Sequence, residues 1–397
     1  MIALALLLLL LFPASAQAAD PDPNLGWADD RDALSGEGSA VLAEQLDTSS
    51  FERVLAEMDA LLAETQTELS LSQLWRDYRA GERALELHLF GDALLTLFFR
   101  QLRNSIGLLS QLLALAILSA LLSNLQSSGH NGEVAQLSRW VVYLLLLSLA
   151  LLAWKPAVGS AQEAVELLRD ILLASLPLLL PLLASLGAVS TVTTISPLLF
   201  GGLELLTTLL SSLVFPLVYL SAVLRLAGGI SPKFSVSKLA DLFKDVALGA
   251  MSILTTLFVA TLGFIGVASS SSDGLAIKAV KTASSAFVPM VGRTLADSLD
   301  SVMGLSLLLK NAIGLVGALA ILLACAMPAL RIWAQSLIFR LASALVQTLG
   351  ENQLSDALAG MGKSLTQLFA VLAMCGLFGF FTFALMVGLG NLTMMMR

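Results

Sequence analysis

The stretch "TQLFAVLAMCGLFGFFTFALMVGLG", residues 366–390, decides how this chain is read, because its 25 residues pass without one charged side chain. The hydrocarbon core of a bilayer takes about 20 apolar residues in a helix. A membrane-spanning strand would instead alternate apolar and polar residues over roughly ten positions. Similar runs recur at about 105–125, 139–158, 171–189, 198–224, 247–269 and 305–330, giving seven candidate spans. An eighth apolar segment, 332–349, carries Arg340 centrally and reads as amphipathic, lying on the membrane or against other helices.

Composition agrees. Of 397 residues 57% are hydrophobic and 13% charged, against about 25% charged in an ordinary soluble domain. Mean hydropathy is +0.86. The fold class is therefore all-α: a polytopic helical membrane protein of about six to eight spans over residues 102–397, with membrane lipid as its surroundings. Pro177 and Pro181, four apart, predict a kinked or discontinuous helix, since a proline in lipid survives only where neighbours satisfy the freed carbonyl. No internal repeat of the kind many transporters carry is visible.

Working back toward the N-terminus, residues 1–19, "MIALALLLLLLFPASAQAA", read as a secretory signal peptide. They have an apolar core, a Pro13 break and small residues at the cleavage site; an uncleaved anchor is the alternative. Residues 20–101 then form a small extracytoplasmic region of amphipathic helices. Seventeen of the 29 acidic residues lie between Asp20 and Asp92, against six Lys/Arg up to Arg100, so this region offers nucleic acid no basic patch. "SSFERVLAEMDALLAE" opens on a capping box, Ser49 and Glu52, and carries a stripe of Phe51, Val54, Leu55, Met58, Leu61 and Leu62. Leu71, Leu74, Trp75 and Tyr78 repeat the pattern. Seven spans after a cleaved signal would leave Lys233, Lys238 and Lys244 outside, against the positive-inside tendency.

Signatures of chemistry are sparse. "GMGKS", 360–364, resembles the end of a phosphate-binding loop, but Ala357 stands where the first glycine belongs and no strand precedes it. His88 and His130 are far apart, and Cys325 and Cys375 sit in apolar runs as small core residues. No cofactor or metal is implied, and an enzyme is not the reading.

Charges inside spans carry more information, because burying them is costly and tied to partners or function. Glu204, in "FGGLELLTTLL", and Lys310, in "LSLLLKNAIG", are the two candidates, and Glu204 is the guessed partner of Lys310. The bland alternative for each is a span end, with Lys310 snorkelling to headgroups. Arg293, Asp297 and Asp300 share a helical face in "FVPMVGRTLADSLDSV". With "SSSSDG" at 269–274, residues 270–300 read as a polar, partly helical connection outside the hydrocarbon.

These blocks bring a resemblance. "FVPMVGRTLADSLDSV…LLLKNAIGLVG", "FPLVYLSAVL", "KLADLFKDVALGA" and the terminal "GNLTMMMR" resemble the stage III sporulation protein AE family of endospore-forming bacteria, in a match from about "LDTSSFE" to Arg397. The resemblance implies a multi-pass protein of the mother-cell membrane around the forespore. It implies a part in the channel or secretion-like complex joining the two cells. The implied partners are other stage III sporulation proteins, including a separate ATPase and ring-forming components. It marks Arg293, Lys310 and Asn311 as motif positions without assigning roles. A permease moving small solutes through its own bundle is the second reading.

Overall fold

The computed structural model describes residues 48–64, 70–79, 87–126, 132–228, 236–287 and 291–395, and among these the regular structure is helical throughout. The signal-like segment and the acidic stretch before residue 48 lie outside the described residues. The helices are α1 (Ser49–Glu64), α2 (Leu71–Arg79), α3 (Leu87–Asn104), α4 (Ile106–Gln126), α5 (Gly132–Ser185), α6 (Val189–Leu209), α7 (Phe215–Gly228), α8 (Ser237–Phe287), α9 (Val291–Thr348) and α10 (Asn352–Met395). Among the described residues six runs are long and apolar enough to cross a membrane: Phe98–Leu121, Trp140–Ser185, Val189–Leu226, Lys238–Ser269, Leu309–Thr348 and Asn352–Leu389.

Six runs replace the seven separate spans because several segments fuse. The windows 139–158 and 171–189 belong to one helix, α5, which runs straight through Pro156, Pro177 and Pro181. Between the windows, Ala157, Ala161, Ala164, Val165 and Leu168 are buried at helical spacing while Glu163, Glu166, Arg169 and Asp170 are exposed. That stretch is an amphipathic helix. Pro177 and Pro181 both lie on the exposed side, where the carbonyl they free has room, so the helix is not broken.

Segment 332–349 is likewise the last third of α9. Ile332, Phe339, Ala342 and Val346 are fully buried, so it packs against other helices. Residues 270–287 and 291–300 of the expected partly helical connection are helical, as parts of α8 and α9. A π-helical turn, Leu210–Val214, joins α6 to α7 just ahead of Pro216. A proline cannot donate its amide to the preceding turn, and a widened turn absorbs that missing bond.

Contacts set directions. Tyr143 and Leu226, then Arg169 and Glu204, pair α5 antiparallel to the α6–α7 run. Thr191 with Asp273 and Gly202 with Phe258 pair that run antiparallel to α8. Phe258 on Phe378 and Gly266 on Leu389 make α8 and α10 parallel. Helices α9 and α10 form a hairpin closed at Gly350, whose φ of +84° is a left-handed conformation that glycine adopts without strain. The chain turns the same way at Gly187, φ +86°, between α5 and α6. Helix α10 stands at the centre, touching α5, α7, α8 and α9. At 1.5 Å per residue, the 58 residues of α9 reach about 87 Å, well beyond a hydrocarbon core of about 30 Å.

The N-terminal helices follow their stripes. Phe51, Val54, Leu55, Met58 and Leu62 are buried and Leu61 is exposed; Leu71 and Trp75 are buried opposite them, with Phe51 edge-on to Trp75 at 5.5 Å. Thr48, not Ser49, immediately precedes the first helical residue, and its hydroxyl meets Glu52 at 3.0 Å. Asp59 caps α2 from the side, accepting from Ser70 Oγ at 2.8 Å and from the amides of Leu71 and Ser72. Helices α2 and α3 lie on α9, with Phe98 against Trp333 at 4.8 Å. The boundary drawn at 101 thus falls inside α3, on a helix already packed against the bundle.

Candidate functional site

The polar groups of the bundle collect in two places, and the first is the α9–α10 seam. Its register is read from pairs that close toward the Gly350 turn. Ser343 and Ser355 each donate to the other's carbonyl, at 2.9 and 3.0 Å. Ser336 donates to Gly362 O at 2.8 Å, and Arg340 reaches Thr366 Oγ1 at 2.8 Å. Further along, Gly376 faces Cys325, Gly317 faces Phe383 and Gly314 faces Val387, positions where small residues let the backbones approach. At the far end Lys310 Nζ donates to Val387 O at 2.8 Å.

Lys310 is fully buried, so it does not snorkel to headgroups. Asn311, its neighbour, is half-buried. Glu204 is exposed and pairs with Arg169 at 3.8 Å, which overturns the guess that it partners Lys310. Arg293 and Asp297, with Asp300, lie in the first turns of α9; their side chains are outside the described residues. The structure therefore brings Lys310 against α10 and sets Glu204 apart from it, beside Arg169.

Glu204 belongs to the second polar region, the outer face of α5 and α6. There Lys155, Gln162, Glu163, Glu166, Arg169 and Asp170 are all exposed along α5. Arg169 escaped the sequence reading because it was placed between two spans, although the period of 157–168 already gave the helical signal.

Two further polar contacts were not foreseen. Ala188, ahead of α6, offers no side-chain cap. Asp273 supplies one from α8, accepting from the amides of Ser190 and Thr191, both 2.9 Å away, and from Thr191 Oγ1 at 2.7 Å. A carboxylate at a helix N-terminus satisfies free amides and complements the dipole, so the aspartate of "SSSSDG" is a buried cap. Near the opposite end Arg225 bonds Asp241 at 2.6 Å while Ser221 donates to Ala240 O, tying α7 to the start of α8.

No arrangement of these groups resembles a nucleophile with its base. Among the described residues no group of three His, Cys, Asp or Glu side chains is placed to hold a metal ion. Residues 360–364 are interior to α10, so their amides are used in the helix and form no phosphate nest. Cys325 and Cys375 are buried and free. A cavity of about 10 Å³ between Leu180, Leu183, Ile195, Leu199, Met386 and Leu389 has room for about one water and no solute.

Comparison with known proteins matches the chain to a family. Residues 69–390 match the family described as Stage III sporulation protein AE. The chain is 30% identical over 344 residues to the Stage III sporulation protein AE of Bacillus subtilis (strain 168), covering 87% of this chain and 85% of that relative. No solved structure matches it. The match spans most of the helical bundle, from α2 into the last turns of α10, and on that ground the chain belongs to the stage III sporulation protein AE family, with a role in sporulation.

Proposed function

We propose that this protein is a structural membrane subunit of the channel or secretion-like complex that joins the mother cell to the engulfed forespore. It sits in the mother-cell membrane and works with other stage III sporulation proteins, among them a separate ATPase and ring-forming components. One observation carries this reading: the mid-bundle charges, Glu163, Glu166, Arg169, Asp170 and Glu204, lie outside a packed interior. A chain that conducted solutes alone would place such groups around an internal path. A subunit that helps wall a shared path would place them on its outer face.

The fused α5 supports a topology that fits this reading. With residues 20–101 outside the cytoplasm, six crossings put the 229–235 connection and the Gly350 turn on the cytoplasmic side. Lys233, Lys238 and Lys244 then obey the positive-inside tendency.

The test uses a sporulating host lacking its own family member. The chain should restore late forespore gene expression and, after mild cross-linking, co-purify with the ATPase and ring-forming proteins. A cytoplasm-dependent reporter fused after Arg83 should be silent. Solute flux through liposomes containing this chain alone would overturn the subunit reading in favour of a permease.

A further inference from the structure

Three helices define a slab. Residues 246–272 of α8, 311–330 of α9 and 364–396 are free of charged side chains. The shortest of these, 20 residues, spans about 30 Å, one hydrocarbon core. Their midpoints coincide in space: Phe258 stacks on Phe378 at 4.7 Å, and α9 passes that level between Gly317, opposite Phe383, and Cys325, opposite Gly376. Leu168 packs on Gly379 and Gly202 on Phe258. Arg169 and Glu204, next to these residues, therefore lie at mid-slab.

At that level the two outer faces differ in kind. Helix α8 exposes Ile253, Leu257, Phe264 and Val267, as a lipid-facing helix does. Along α5 from residue 155 to 185, the described exposed side chains are charged, polar or proline: Lys155, Pro156, Gln162, Glu163, Glu166, Arg169, Asp170, Pro177, Pro181 and Ser185. The Arg169 and Glu204 side chains are 44% and 70% exposed. Below Lys155 the same helix exposes Val141, Leu144, Leu145, Leu151 and Leu152, so its surroundings change near that residue. A charged face at mid-slab does not lie against lipid tails; such residues face a water-filled cavity or other protein.

We propose that the outer face of α5, with Glu204 of α6, lines an aqueous vestibule that opens at the Gly187 end and reaches down to about Lys155. Water, not a tightly packed partner, occupies it. Three like charges, Glu163, Glu166 and Asp170, stand exposed along one face of α5, an arrangement that water solvates and that the exposed hydroxyls beside it, Thr193 and Thr194, bonded to Ser190 O of their own helix, do nothing to neutralise. Its use as part of a shared conduit rests on the channel-subunit reading.

The test labels full-length protein in native membrane vesicles of mixed orientation with a membrane-impermeant maleimide. The wild type, whose Cys325 and Cys375 are buried, sets the background. Glu166→Cys and Asp170→Cys should react at least tenfold faster than Leu257→Cys, which lies at the same level on α8, because thiolates form in water and not in lipid. Equal, slow reaction of all three in membranes overturns the vestibule. Reaction of the α5 variants only after detergent extraction also overturns it, assigning the face to a protein partner. Labelling reads solvent whatever the cell does with it. Fast labelling in a chain that fails to restore spores sinks the channel reading alone; slow labelling in a chain that restores them sinks the vestibule alone.

Discussion

Lys310 and the carbonyl of Val387 meet at 2.8 Å across the α9–α10 hairpin, with the lysine entirely shielded from solvent. The contact lies at the end of the seam farthest from the Gly350 turn, beyond the close approaches of Gly314 and Gly317. A lysine buried there is not needed to close the seam, because removing a charge from a buried site is often neutral or stabilising when the replacement packs well.

For that reason Lys310→Met should accumulate at least as well as the wild type, while heat-resistant spores fall at least tenfold. Lys310→Glu sets an acceptor against an acceptor and should lower abundance as well. Immunoblots and spore counts check both; Met and Glu variants that sporulate normally would deny the lysine a role.

Removing the Asp273 cap should weaken the α5–α6 turn. Asp273→Ala forfeits three hydrogen bonds to a buried carboxylate, a loss of about 1–3 kcal/mol. Asp273→Asn keeps one acceptor oxygen and should fall between. Thermal unfolding in detergent should rank wild type, Asn, then Ala; an Ala variant as stable as wild type counts against the cap.

Two glycines offer opposite outcomes. A methyl at Gly317 runs into the buried ring of Phe383, so Gly317→Ala should destabilise by about 1–3 kcal/mol. Nothing lies within 4 Å of the methyl at Gly159, so Gly159→Ala should stabilise α5 by roughly 0.5–1 kcal/mol. Melting temperatures of the two variants should move apart from the wild type, and movement in the same direction would contradict the packing described for α9 and α10.

Tyr143→Phe isolates one hydrogen bond. The hydroxyl donates to Leu226 O at 2.8 Å, with Tyr143 and Leu226 both buried. Its loss should cost about 1–3 kcal/mol, since a buried acceptor loses its side-chain donor. Protease cleavage at the 229–235 connection should quicken; unchanged cleavage and melting would show that water replaces the hydroxyl.

Apolar length and helical period by themselves determined the class, the count of long apolar runs among the described residues to within one, and the buried stripes of α1 and α2. They also singled out Lys310 and Glu204, because an uncharged run makes any charge within it conspicuous. Tertiary structure alone decided what those charges meet. Arg169 and Glu204 are 35 residues apart and Thr191 and Asp273 are 82 apart, and periodicity along one helix carries no information on which neighbour covers a face. The same limit holds within α5: the apolar stripe at 157, 161, 164, 165 and 168 follows the helical period, but the level at which the charged face opposite stands is set only by α8, α9 and α10.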